Sequence, residues 1–253
     1  MPVFTPAEVA KNYITIGKGK ANQTALKMFL LAVLAGAFIA LAGAAATFGN
    51  IYVNKVAGAA IFPAGLAMVL IAGSELFTGN CLLVIPLLER EICWQQMLRN
   101  WLVVYIGNLA GGLLVTALAV WGGTFDAVYE TVIATAVAKV SLPFTAALLR
   151  GILCNFLVCL GVWMAFAAKS VGGKIAGLFF PIFVFVICGF EHSVANMFYI
   201  PAGIFEAVRF DAATDGLSVY GMFVRNLLPV TLGNIIGGIG LGMLYWGIYL
   251  KKK

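Results

Sequence analysis

Charge is what this sequence has least of. Asp, Glu, Lys and Arg make up 10% of its 253 residues while 62% are hydrophobic, whereas soluble domains carry about 25% charged residues. So few charges cannot cover a surface that faces water, and a mean hydropathy of +1.02 assigns the chain to a lipid bilayer. Histidine is scarcer still, with His192 the one example. One imidazole can neither clamp a haem from both faces nor build an ordinary zinc site. The five cysteines (Cys81, Cys93, Cys154, Cys159, Cys188) show no Cys-x-x-Cys spacing and mostly fall in apolar runs, where a thiol packs as a small hydrophobe. No metal and no other cofactor is expected. The net charge of +6 comes from Lys and Arg gathered at the ends and between apolar runs. Orientation in a bilayer requires that placement, so it does not point to nucleic acid. Residues 1–27 lack a short apolar stretch with a small-residue cleavage site. They are expected to remain as a cytoplasmic N-terminal segment rather than leave as a signal peptide.

What the chain has in plenty is apolar length. A bilayer-crossing helix needs about 20 apolar residues, and Met28–Phe48, Trp101–Trp121, Phe144–Ala168 and Met222–Leu250 supply that simply. Val56–Leu88 and Ile175–Phe205 do not. As single helices they would measure roughly 50 and 46 Å against a hydrocarbon core of about 30 Å, yet neither holds two full spans with a turn. Each reads as a helix broken near mid-membrane. The expectation is an all-α integral membrane protein with six transmembrane helices, the second and fifth broken, forming a single pore domain over residues 28–250 with a tail at 251–253. Eleven Lys and Arg then fall on the side of both termini (Lys11, Lys18, Lys20, Lys27, Arg90, Arg99, Lys169, Lys174, Lys251, Lys252, Lys253). Four fall opposite, Lys55, Lys139, Arg209 and Arg225, with Arg150 at or inside the fourth span. That bias makes the termini cytoplasmic and the location the cytoplasmic (inner) membrane.

The chain also repeats itself. GNLAGG (Gly107–Gly112) returns as GNIIGG (Gly233–Gly238), and GSELFTGN (Gly73–Asn80) returns as GFEHSVAN (Gly189–Asn196) in the pattern G-x-E-x-x-x-x-N. Two halves of three crossings each, about 28–121 and 144–250, must insert in opposite directions. This is the inverted 3+3 repeat whose paired broken helices meet at the midplane and line a substrate path. The glycines at four-residue spacing suit close helix packing. Asn108 and Asn234 beside them are expected to hydrogen-bond the loops of the breaks.

A break at membrane depth strands backbone N–H and C=O groups. Glu75 and Glu191, with Asn80 and Asn196 at the other end of each motif, are placed to support those loops, the carboxylates by accepting loop N–H bonds; proton carriage is the alternative role. Half-helices starting near Cys81 and Ala195 would point positive dipole ends inward and favour an anion there. His192 sits in the second break, where an intramembrane ionisable group reads as functional, and imidazole changes charge near neutral pH. Thr78 in the first break offers a hydroxyl that donates or accepts. If the breaks are symmetry mates, the two side chains can face one another.

LIAGSELFTG (Leu70–Gly79), GILCNFLVCLG (Gly151–Gly161), GFEHSVANM (Gly189–Met197) and PVTLGNIIGG (Pro229–Gly238) resemble, in order and over nearly the whole chain, the signatures of the formate/nitrite transporter family. The resemblance implies an aquaporin-like protomer, a homopentamer with one pore per protomer, and passage of small monovalent anions with or without a proton. It implies that Thr78 and His192 are the polar pair of the pore and that Lys20 and Lys139 are the basic residues of the cytoplasmic and periplasmic vestibules. Phe62, Leu66 and Phe185 become the apolar constrictions, with Leu76 and Phe77 in the first loop, and Asn155 a buried supporting Asn. ANMFYIPAGI (Ala195–Ile204) resembles formate members more than nitrite or hydrosulfide members. On the residues alone, Lys20 serves equally as an orientation signal and the constriction residues as ordinary packing; Lys139 stands out as a cation on the poorer side.

Two mechanisms follow for a formate-like substrate: passage as the neutral acid together with a proton, or passage of the anion helped by Thr78, a charged His192 and helix dipoles. A nitrite or hydrosulfide channel is the alternative within the family. A water or neutral-solute channel is a remoter one that gives no reason for Lys139 or an internal His. A membrane enzyme would need paired His, Cys-x-x-Cys or a clustered acid–base set, and the sequence has none.

Overall fold

A computed structural model describes residues 3–214 and 216–251, and every named element among them is helical. Lys252 and Lys253 of the expected tail, and Met1 and Pro2 of the N-terminal segment, lie outside the described residues. The N-terminal segment is itself a helix, α1 (Pro6–Ala21), started by a capping box in which the Thr5 hydroxyl takes the Glu8 N–H and the Glu8 carboxylate takes the Thr5 N–H. Such reciprocal bonds satisfy two donors that a helix start otherwise strands. Before it, the Phe4 N–H reaches the Ala167 carbonyl at 2.9 Å. Val9, Ala10 and Tyr13 are buried against the body.

The body follows as α2 (Ala25–Tyr52), α3 (Lys55–Ile61), α4 (Pro63–Ala72), α5 (Phe77–Asn80), a 3-10 turn at Cys81–Leu83, α6 (Val84–Leu88) and α7 (Trp94–Trp121). The second half comprises α8 (Tyr129–Val140), α9 (Phe144–Ala167), α10 (Val171–Ile187), α11 (Ser193–Arg209), a π-helical stretch at Gly221–Leu227, and α12 (Leu228–Tyr249). Among the described residues, five helical stretches are long and apolar enough to cross a membrane: Ala25–Tyr52, Lys55–Ala72, Trp94–Trp121, Phe144–Ala167 and Gly221–Tyr249. Phe77–Leu88 and Val171–Ile187 are apolar but shorter. Leu30, Leu34 and Leu41 on α2, Leu114 and Leu118 on α7, and Leu244 and Ile248 on α12 are exposed, an apolar exterior that water would penalise and lipid accepts.

Both long apolar segments are interrupted. Helix α4 stops at Gly73 (φ 81°) and α10 gives way at Gly189 (φ 66°). These are the first residues of the two G-x-E-x-x-x-x-N motifs, in the left-handed region where a Cβ is strained. The helices that follow begin at Phe77 and Ser193, earlier than the expected starts near Cys81 and Ala195. The first of them is only four residues long before the 3-10 turn, so it carries little dipole of its own. Lipid tails supply no hydrophobic drive between helices, so close van der Waals approach has to do it. At the crossing of α2 with α7, a Cβ on Gly111 would overlap the Val33 carbonyl; at that of α9 with α12, one on Gly237 would overlap the Ile152 carbonyl.

Candidate functional site

The backbone of each break is held by one asparagine from the neighbouring long helix. The Asn108 Oδ1 accepts the Phe77 N–H at 2.9 Å, and its Nδ2 donates to Glu75 O at 2.9 Å and Ala32 O at 2.8 Å. Asn234 repeats this, accepting the Ser193 N–H and donating to Glu191 O and Gly151 O, each at 2.9 Å. The Glu75 N–H goes to Leu31 O and the Glu191 N–H to Arg150 O. A carboxamide suits this work because it donates and accepts at once, which is what a loop in hydrocarbon surroundings needs.

The two glutamates brace the breaks through other partners than expected. Among the described residues their carboxylates take no loop N–H; they face lysine and amide side chains, including the asparagine at the far end of each motif. Glu75 accepts from Lys20 Nζ (2.9 Å), Gln23 Nε2 (3.1 Å) and Asn80 Nδ2 (2.7 Å). Asn80 Nδ2 also reaches Asn100 Oδ1 at 2.9 Å, and Asn100 Nδ2 returns to the Lys20 carbonyl at 3.4 Å. The other half closes the same ring. Lys139 Nζ lies 3.1 Å from Glu191 Oε1, Asn196 Nδ2 donates to Glu191 (2.6 Å) and to Asn226 Oδ1 (2.7 Å), and Asn226 Nδ2 donates to Lys139 O (2.9 Å). Both carboxylates are buried, and burying a lone charge is costly, so the lysine partner is what makes them tolerable. Neither lysine is a free cation: each is neutralised in place by its glutamate.

Between the two rings lies the polar pair. His192 is the N-cap of α11, and its Nδ1 accepts the Ala195 N–H at 3.0 Å. A ring nitrogen that accepts carries no proton, so the other nitrogen carries it. The Nε2–H accordingly donates to Thr78 Oγ1, 2.9 Å away, which leaves the threonine hydroxyl proton free to be given elsewhere. The main chain of Thr78 is itself fixed: its carbonyl accepts from Asn155 Nδ2 (3.2 Å) and Cys159 Sγ (3.4 Å), and Asn155 also reaches Asn234 O (2.7 Å).

His192 faces a chamber of about 10 Å³ closed on one end by Phe62 and Phe185 and on the other by Leu66 and Leu76. Its remaining walls are Ile39, Val158 and Ile182. The Phe62 and Phe185 rings meet edge to face at 5.6 Å, and Phe185 stacks on the His192 ring at 5.8 Å. Beyond the phenylalanines opens a vestibule of about 200 Å³ lined in part by Thr47, Asn50, Lys139, Glu191 and Tyr199. Beyond the leucines is a much smaller space of about 10 Å³ beside Tyr13, Lys20, Ser74 and Asn80. Phe77, expected at a constriction, lines none of these spaces; it packs edge-on against Trp101 and Tyr105. Among the described residues no group of three or more His, Cys, Asp or Glu side chains could hold a metal.

These rings and breaks tell more than the fold alone, because the known proteins that the chain is similar to share its whole length. The formate/nitrite transporter sequence profile matches residues 7–247. The chain belongs to this family. Similar members include a probable formate transporter of Methanothermobacter thermautotrophicus, 41% identical and covering 98% of each chain. Formate channel FocA of Escherichia coli (strain K12) is 38% identical over 99% of this chain and 96% of its own. Among solved structures, an FNT family ion channel superposes with a TM-score of 0.83 at 32% identity, covering 96% of this chain and 98% of its own. A pentameric formate channel with formate bound superposes with a TM-score of 0.76 at 36% identity, covering 90% of this chain and 98% of its own.

For this family member, sequence reasoning missed Asn100 and Asn226, which complete the lysine rings. The signal was present: each stands eight residues before Asn108 or Asn234, and the same spacing in both halves marks them. Ile39, Val158, Ile182 and Tyr199 carried no such mark.

Proposed function

We propose that the protein conducts small monovalent anions, formate foremost, through a pore in each protomer of a homopentamer in the cytoplasmic membrane. The chain makes six crossings in two inverted halves, with both termini cytoplasmic; what supports the inversion is the recurrence of the asparagine and lysine networks in both halves. The path runs from the Lys139 vestibule past Phe62 and Phe185, through the chamber, past Leu66 and Leu76, to the Lys20 side. The observation that carries the proposal is His192, the one polar side chain lining an otherwise apolar chamber between two lysine-bearing mouths, bonded to the buried Thr78 at 2.9 Å; Thr78 itself lines none of these spaces. Formate, and a formate-bound pentamer, are what the similar proteins are named for.

The chemistry favours passage as the neutral acid. A bare carboxylate entering low dielectric costs of order 20 kcal/mol in the Born limit and several kcal/mol after relaxation. Charging His192 to offset that cost would place a proton on Nδ1, which already accepts the Ala195 N–H, so α11 would lose its cap. The pair instead supplies neutral hydrogen bonds. Formate enters the vestibule beside the Lys139–Glu191 pair, takes up a proton there from hydronium of the bulk water, and crosses as formic acid past His192, the polar side chain of the chamber wall. Flux of labelled formate into proteoliposomes holding an internal pH dye tests this: the lumen acidifies in step with uptake. Uptake with no proton movement would establish anion conduction instead. Nitrite or hydrosulfide winning a competition series against formate would shift the substrate within the family, and swelling by water alone would reject anion transport.

A further inference from the structure

Of the Lys and Arg side chains, Arg150 alone belongs to neither face of the membrane, and the pore does not use it. Helix α9 is 24 residues long, about 36 Å, and Arg150 stands about 9 Å along it from Phe144. With α9 centred on a hydrocarbon core of about 30 Å, the Arg150 Cα lies about 6 Å inside. The fold fixes that depth, because the Arg150 carbonyl accepts the Glu191 N–H at 3.4 Å, level with the second break. Leu31 accepts the Glu75 N–H in the same way in the other half, so a leucine serves this backbone role equally and the arginine side chain has a separate one. It is exposed, lines none of the three pore spaces, and takes part in no ion pair among the described residues. Its exposed neighbours on α9, Phe144, Leu149 and Leu153, are apolar. An arginine at such depth is costly unless it is paired or stretches to the interface.

We propose that Arg150 binds the phosphate of a phospholipid in the leaflet on the Lys139 side. Helical side chains lean toward the N-terminus of their helix, and α9 begins just after the end of α8 that carries Lys139. The guanidinium therefore extends toward the headgroups of that leaflet and away from the bilayer centre. Its planar fork matches two phosphate oxygens at once. A second copy of this chain offers no such anion at that depth. Glu75, Glu191 and Glu206 are buried, and Glu8, Glu89 and Glu91 belong to the Lys20 side. Asp126 is taken by Arg209, Asp211 follows the end of α11, and Glu130 is on α8 about 13 Å further out than Lys139. Among the described residues no exposed carboxylate is left at the level of Arg150, and lipid phosphate is the anion its surroundings supply. The headgroup steadies the stretch of α9 whose Arg150 and Gly151 carbonyls accept from Glu191 and Asn234, whatever solute the pore conducts.

The test uses the full chain in phosphatidylglycerol vesicles doped with a phosphatidylglycerol that carries a photoactivatable diazirine in its headgroup. After irradiation the adducts are mapped by peptide mass spectrometry, and the oligomer mass of each variant is measured in parallel. The parent is expected to carry headgroup adducts within residues 141–150. Arg150→Leu lowers them about fivefold, the effect of one arginine beside an anionic leaflet, and leaves adducts on the Lys20 side unchanged. Arg150→Lys keeps the charge without the fork and falls between the two. Arg150→Gln repeats the comparison should the leucine variant not fold. Adducts missing from residues 141–150 of the parent, or equally strong there after Arg150 is replaced by Leu or Gln, overturn the proposal. So does an Arg150→Leu protein that separates into smaller oligomers with those adducts intact, since Arg150 then serves a second copy of the chain.

Discussion

Replacing Asn234 by alanine removes the side chain that holds the backbone of the second break on both sides of His192. The side chain makes three hydrogen bonds, one accepted from the Ser193 N–H and two donated to the Glu191 and Gly151 carbonyls, all at 2.9 Å, and Asn234 is fully buried. Truncation strands one backbone donor and leaves two acceptors short. A stranded buried group costs about 1–3 kcal/mol, and the groups share one loop, so their costs do not simply add. A loss of about 3–5 kcal/mol in folding stability is expected, read as a fall in the melting midpoint of the detergent-solubilised protein. The loop should loosen before the whole: amide exchange at Ser193 rises more than in the middle of α9, and formate flux falls because His192 begins at the very next position. Asn108→Ala repeats the effect at Phe77. The double variant should lose less than the two singles together, because the breaks meet at the 2.9 Å Thr78–His192 contact and the second loss falls on a contact already weakened. An Asn234→Ala protein with an unmoved midpoint and a protected Ser193 amide would refute the idea that this carboxamide holds the break.

Lys139→Ala leaves Glu191 buried with asparagine partners alone and should cost about 3–5 kcal/mol, the penalty for an uncompensated buried charge; Lys139→Met with Glu191→Gln should recover most of the melting midpoint, though not formate uptake. Glu206→Met should hold or raise the midpoint with flux unchanged, since both Glu206 oxygens are buried without a hydrogen-bond partner among the described residues and removing such a group relieves its desolvation cost. The Thr5 backbone N–H, and after it the Thr5 hydroxyl, hold the Glu8 carboxyl below the usual glutamate range. A depressed folded-state value stabilises the start of α1 above the unfolded value near 4.5 and is lost as the pH falls below it. Amide exchange in the first turn of α1 should therefore accelerate on acidification, and Thr5→Ala, which deletes the hydroxyl but keeps the backbone N–H, should weaken that pH dependence without abolishing it.

The long apolar helices were legible because about 20 apolar residues bounded by charge admit few other structures. Helix α7 nonetheless starts at Trp94, seven residues before the expected Trp101, since helical propensity continues past the point where hydrophobicity ends. The breaks were legible from length alone, and the glycines at 73 and 189 marked where the chain turns. Helix α1 announced itself through Thr5-Pro6-Ala7-Glu8, a capping box with proline at the first helical position, and that signal went unread; α8 is short and mixed in composition and passes for a loop. The ion pairs Lys20–Glu75 and Lys139–Glu191 join residues 55 and 52 apart, and no local pattern specifies such a partner. The walls Ile39, Val158 and Ile182 are written in the same letters as the lipid-facing surface, and only three-dimensional packing separates them. Phe77 shows the opposite error: its place in the break suggests the path, yet Trp101 and Tyr105 hold its ring aside.

The two mouths are far from equal, about 200 Å³ beside Lys139 and about 10 Å³ beside Lys20. A molecule too bulky to travel can still lodge in the roomy one, wedged against the phenylalanine pair, while the other face offers it no berth. Pharmacology of this protein should therefore be one-sided: a plug added at the Lys139 face arrests traffic in both directions, and the same compound sealed on the far side does nothing.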